Sequence, residues 1–226
     1  MKFKFDLTKL LCLWLYLFVN SSNAAAIIGG EMSYQCLGQG KYQITLKIYR
    51  NCNGDSLSSL NLRAFAGKNG NMSCGDVELI NLTRTKIRDI TNVCSTSKYP
   101  YYPTNTKGIQ NGVEEHTYQT IVNIKTAPLN LLLNTSSCCE ITFYVGECCR
   151  SSELTNGGAN SKFYITCMIN TCNLSLTKNN CNSSPSFTFE PVNFLCCNSP
   201  WYSDLQGMDT IDFDSISYEL VDAFNS

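Results

Sequence analysis

The chain alternates. In "YQITLKIY", residues 42–49, Tyr42, Ile44, Leu46 and Ile48 fall on one side of an extended backbone, and Gln43, Thr45, Lys47 and Tyr49 fall on the other. The same two-residue period runs through "TYQTIVNI" (117–124), "CEITFYVG" (139–146), "KFYITCMIN" (162–170) and "SISYEL" (215–220). Successive side chains of a strand point to opposite faces, so each segment predicts a half-buried antiparallel strand, and the β-branched and aromatic content agrees. Turn-formers lie between them, in "NCNGDS", "GKNGN", "TNGGANS" and "KNNCNSS". No window carries the 3.6-residue period of an amphipathic helix. The expected fold is all-β, an antiparallel β-sandwich of Ig-like type. The stretch 95–112, with two prolines and three tyrosines, predicts an extended surface crossing between the sheets.

A boundary is expected near 178–185, "KNNCNSSP". It divides a sandwich domain at 27–180 from a segment at 181–226 that is too short for a sandwich of about 100 residues. That segment either completes the first domain or opens a second, incomplete one.

The N-terminus adds a compartment. "MKFKFDLTK" carries three lysines, "LLCLWLYLFV" (10–19) is an apolar run too short to span a bilayer, and "NSSNAAA" supplies small residues for cleavage after Ala24 or Ala26. Residues 1–26 are therefore read as a secretory signal peptide, and the mature chain as secreted or displayed on the outer cell surface. No later stretch is apolar enough to span a membrane, so no integral membrane segment is expected after cleavage. "APLNLLLN" (127–134) comes nearest, at half the needed length.

Charge removes one class of partner. Net charge is -1 and only 15% of residues are charged. Nucleic-acid binding, which rests on cationic neutralisation of phosphates, has no electrostatic basis here.

Fourteen cysteines change the picture most. Cys12 leaves with the signal. Cys36, Cys52, Cys74, Cys94, Cys138, Cys139, Cys148, Cys149, Cys167, Cys172, Cys181, Cys196 and Cys197 remain, an odd number, so at least one stays free or pairs with another chain. Structural zinc favours paired short spacings such as Cys-x2-Cys, whereas these are adjacent or long, and His116 is the sole histidine. Thiol catalysis needs a base, and His116 in "EEHT" reads more simply as a strand residue. Disulfides in an oxidising compartment remain. Adjacent Cα atoms lie about 3.8 Å apart, below the roughly 4.4–6.8 Å span of a relaxed disulfide, so no doublet should close on itself. Instead each doublet can serve two staples. Cys139, on the face of Ile141, Phe143 and Val145, is the inward candidate of its pair.

Larger blocks carry a resemblance. "IIGGEMSYQCLGQGKYQITLKIYRNC" (27–52) resembles the N-terminal module of large exported Bacteroidetes surface proteins that bear a gliding-motility-associated C-terminal domain, the type B sorting signal of type IX secretion. "NGVEEHTYQ" (111–119), "GECCRSSELTN" (146–156), "NSSPSFTF" (182–189) and "PVNFLCCNSPW" (191–201) leading to "DFDSISYELVD" (212–222) follow in the family's order. The resemblance implies that 181–226 begins a second cadherin/Ig-like repeat, here without the sorting tail. Family members usually show Asp-x-Asp-Gly-Asp-Ser at that opening. This chain keeps Asp212, Asp214 and Ser215 but has Thr210 at the first Asp and Phe213 at the Gly. Asp209, Asp212 and Asp214 are thus weak calcium candidates; Asp and Ser clusters also serve as turn-formers. No other cofactor is indicated. Sequons at Asn71, Asn81, Asn134, Asn173 and Asn182 are read as chance triplets in an Asn- and Ser-rich bacterial chain.

The function expected is a non-catalytic, structural or adhesive cell-surface module whose partner is an extracellular protein or polysaccharide. Tyr99, Tyr101 and Tyr102 are the aromatic cluster singled out as a contact surface, although a loop packed over a sheet edge explains them equally well. The rival is a secreted carbohydrate-active β-sandwich enzyme with two carboxylates on a cleft, drawn from Glu114, Glu115, Glu140 and Glu147. A small eukaryotic-type Cys-rich ligand is a third reading.

Overall fold

A computed structural model describes residues 27–52, 57, 59–67, 74–91, 112–133, 138–147, 150, 162–172, 181–189, 200, 202 and 206–220. Residues 1–26, the expected signal peptide, and Tyr99, Tyr101, Tyr102, Cys94, Cys148, Cys149, Cys196 and Cys197 lie outside them. The strands are β1 (Ile27–Gly38), β2 (Lys41–Asn51), β3 (Leu60–Gly67), β4 (Asp76–Leu82), β5 (Arg84–Asp89), β6 (Val113–Asn123), β7 (Glu140–Glu147), β8 (Phe163–Asn170), β9 (Ser186–Phe187) and β10 (Gly207–Met208). A single helical turn, α1 (Leu129–Leu132), precedes β7.

Consecutive strands pair and then the chain changes sheet. One four-stranded sheet has the order β1-β2-β6-β5 and the other β4-β3-β7-β8, while β9 and β10 form a separate ribbon. All ladders between these strands are antiparallel. The inward faces of both four-stranded sheets share one apolar core. Tyr42, Ile44, Leu46, Ile48, Tyr118 and Val122 come from the first sheet; Leu60, Leu62, Ala64, Ala66, Ile141, Phe143, Val145 and Ile169 come from the second. The protein is therefore all-β, with two antiparallel sheets in a sandwich-like arrangement.

The period-two segments at 42–49, 117–124, 139–146 and 162–170 fall on β2, β6, β7 and β8 with the expected sides inward. The segment 215–220 does not behave as expected. It joins no ladder among the described residues, Tyr218 is exposed and Leu220 is 100% exposed. Alternation states which face a strand would bury, but it supplies no neighbour to bury it against.

The turn between β1 and β2 needs its glycines. Gly38, Gln39 and Gly40 all have positive φ (82°, 54° and 80°), a run that side chains with a Cβ rarely adopt. A Cβ on Gly40 would also stand 2.8 Å from Cγ of Lys125. The Gly40 carbonyl accepts from Ile124 N–H at 2.9 Å, which fixes the turn to the end of β6.

Candidate functional site

Three disulfides lie among the described residues: Cys36–Cys181, Cys74–Cys138 and Cys139–Cys172. The doublet at 138–139 divides between two partners. Cys138 ties the entrance of β7 to Cys74, two residues before β4, and Cys139 ties it to the exit of β8. Among the described residues, the disulfide candidates Cys52 and Cys167 are free thiols. Cys167 points into the core from β8, opposite Phe143 of β7, where its neighbours are apolar side chains. Burial pushes its thiol up to about 12 and that of Cys52 up to about 11, with the Glu114 carboxylate adding to the latter. Neither thiol has the lowered pKa of a nucleophile.

Cys36–Cys181 spans 145 residues of sequence and sits at a polar junction outside the sheets. It lands the C-terminal segment on the free edge of β1. Tyr34 N–H donates to Ser184 Oγ (2.8 Å), Ser184 N–H donates to the Tyr34 carbonyl (2.8 Å) and Cys36 N–H donates to Ser183 Oγ (3.2 Å). A cleft of about 640 Å³ opens here, lined by Cys36, Gln39, Lys41, Cys181, Ile211 and Asp212 among others.

The acidic turn of the tail closes the junction. Asp209 Oδ1 accepts from Ile211 N–H (3.1 Å) and Asp212 N–H (2.8 Å), while Asp212 Oδ2 accepts from Ser183 N–H (2.6 Å). These N–H donors, that of Asp212 foremost, hold the Asp209 carboxyl below its ordinary range. Of the three acidic residues named as calcium candidates, Asp209 and Asp212 thus each have one carboxylate oxygen engaged by backbone N–H groups, and Asp214 has an exposed side chain. Among the described residues no group of three or more His, Cys, Asp or Glu side chains is arranged around a metal position. Phe213, where the resembling family has Gly, nevertheless takes the left-handed conformation (φ 60°) with its ring 83% exposed.

A second polar cluster is buried in the first sheet. Glu114 and His116 project from one side of β6. His116 Nε2 lies 2.9 Å from Glu114 Oε2, Arg50 donates to the same oxygen at 3.2 Å, and Arg84 lies 3.1 Å from His116 Nδ1. Arg84 can only donate, so Nδ1 accepts and Nε2 carries the proton given to Glu114. Burial lowers the His116 pKa and outweighs the opposing pull of Glu114. The imidazole is thus a neutral link between a carboxylate and a guanidinium, both of its nitrogens occupied and the residue only 2% exposed. A general base must offer a nitrogen to a reacting group, and His116 has none to offer.

Of the four carboxylates weighed for a glycosidase, neither pair that shares a strand is set for that chemistry. Glu114 and Glu115 are successive on β6 and point to opposite sides, Glu115 pairing with Arg88 at 2.9 Å. Glu140 and Glu147 sit at the two ends of β7, roughly 23 Å apart at strand rise. Inverting or retaining hydrolysis needs about 5–9.5 Å. Among the described residues no helix is long and apolar enough to cross a membrane. No protein-family model, no curated protein and no solved structure matches the chain.

Proposed function

We propose that the chain is an exported, disulfide-stapled β-module that serves a structural or adhesive role on the outer cell surface without catalysing a reaction. The observation that carries the reading is the covalent landing of the tail. Cys36–Cys181 fixes the C-terminal segment to an edge strand of the sandwich, so tension on that segment passes through a covalent bond rather than through hydrogen bonds that yield one at a time. A part that transmits load has use for such a joint. Support also comes from the N-terminal leader, from three disulfides that persist only in an oxidising space, and from the ordered blocks resembling the gliding-motility-associated family of type IX secretion. The polysaccharide or protein it contacts is part of this reading.

Fractionation of the native host, with protease shaving of intact cells and non-reducing peptide mapping, tests it. The expected result is a chain that begins after Ala24 or Ala26, is removed by external protease, and yields the Cys36–Cys181 linked peptide. Recovery in the cytosol with these cysteines reduced overturns it.

A further inference from the structure

The outward face of the second sheet carries three aromatic rings in a diagonal across three strands. Phe65 on β3, Tyr144 on β7 and Tyr164 on β8 have ring centroids 5.9 Å and 6.5 Å apart in sequence. Each ring is partly exposed, while the alternate residues Ala64, Ala66, Phe143 and Val145 fill the core beneath. The rings are held in place. The Tyr144 hydroxyl donates to Asp76 Oδ2 at 2.8 Å, and Arg63 lies over its ring, 5.8 Å from the centroid. Tyr164 lies across Gly146 so closely that a Cβ there would stand 2.6 Å from Cε1. Outward positions on the same strands place Asn61, Thr142, Thr166 and Asn170 around the diagonal, with exposed Met168 beside Thr142.

We propose that this face binds an uncharged polysaccharide, its sugar rings stacking on Phe65, Tyr144 and Tyr164. The proposal rests on the adhesive reading above and names its partner class. Charge selects the occupant. Arg63 is neutralised by Asp76 at 3.0 Å, and Glu78 stands beside them on β4, so the middle of the platform is balanced in charge and Lys162, before Tyr164 at the start of β8, is a lone cation at its end, too little for an acidic glycan, phosphate or nucleic acid. Composition selects against a protein partner, because amides and hydroxyls stand between the rings of this face, whereas the core of a protein interface is largely apolar. A sugar ring offers apolar C–H bonds on its face and hydroxyls at its rim, and matches both features. Rings that are already fixed lose little freedom on binding.

Affinity electrophoresis of the mature protein through gels containing hydroxyethylcellulose, xylan or laminarin tests this, with polygalacturonate as the acidic comparison. The expected result is retardation by at least one neutral glycan, insensitive to salt, and none by polygalacturonate. Phe65→Ala combined with Tyr164→Ala should weaken it by about tenfold or more, with disulfide map and melting curve retained. Thr142→Arg keeps all three rings and crowds the platform, and should do the same even if the double variant folds poorly. Tyr144→Phe keeps the ring and should bind. Absence of retardation by every neutral glycan, full binding by Thr142→Arg, or capture of a protein through this face overturns the proposal. A shaved, surface-exposed protein that binds no glycan refutes this inference and leaves the module reading intact; a reduced cytosolic protein refutes the module reading whatever it binds.

Discussion

Cys36 and Cys181 stand 145 residues apart in sequence and 5.8 Å apart from Cα to Cα. Their bond closes a loop that contains nearly all of the sandwich, and it fastens the tail to β1. Cys36→Ser combined with Cys181→Ser should therefore have two effects. Stability should fall by about 2–4 kcal/mol, since the unfolded chain loses a long covalent loop. The tail should also come off under limited proteolysis while the body resists. Thermal melts and mass spectrometry of the digest check both, and equal resistance of tail and body would count against this role.

Phe213 holds a left-handed backbone that glycine adopts freely. Because its ring is exposed, little packing is lost on removing it. Phe213→Gly should stabilise the turn at 209–214 by about 1 kcal/mol, within the usual cost of such strain. Slower amide exchange at Ile211 and Asp212, whose N–H groups bond Asp209, is the measurement.

His116 ties pH to stability. Its pKa is lowered in the folded protein, so as pH falls the unfolded chain takes up the proton first, beginning near its ordinary value of about 6.5. The folded state is favoured fully above that pH and progressively less below it, until the folded imidazole also protonates. His116→Gln can give a proton to Glu114 and accept from Arg84 without titrating. It should flatten the decline that begins below about pH 6.5 in urea titrations. Asp209, also lowered, acts in a separate window, from its ordinary carboxylate value downward. Its stabilisation is lost as pH falls through the folded pKa. Glu114→Ala, by contrast, leaves Arg50 without this buried partner, and should cost about 3–5 kcal/mol at neutral pH.

The free thiols should be silent in the folded protein. With Cys167 raised to about 12, only about one thiol in ten thousand is ionised at pH 8. Iodoacetamide at that pH should leave Cys167 unmodified until denaturant is added, and Cys52 should react slowly. Peptide mapping after alkylation with and without guanidinium distinguishes the two. Rapid native labelling of Cys167 would contradict its inward position.

How far residues alone lead depends on how a strand is used. β2, β7 and β8, and β6 from Tyr118 onward, are legible because one side of each is mainly apolar and buried while the other is more polar. β1 hides behind Gly29 and Gly30 and is half-buried along most of its length as an edge strand. β3 fills its inward positions partly with Ala64 and Ala66, and β5, "RTKIRD", reads as a polar connection. The tail strand at 215–220 is the opposite error, a correct period without a partner. Sulfur pairing and the aromatic diagonal share one obstacle. Phe65, Tyr144 and Tyr164 each look like ordinary outward residues until register sets them side by side, just as Cys74 meets Cys138 only once β3 lies next to β7.

The serines at 183 and 184 have a bearing on life in a crowd. Strand edges left open invite neighbouring molecules to lengthen the sheet, the more so at high concentration. Here the backbone of Tyr34 and the N–H of Cys36 are already engaged by a strap that is itself anchored through sulfur. A copy approaching along that margin must first lift a tethered strap, so dense packing can proceed there without polymerisation.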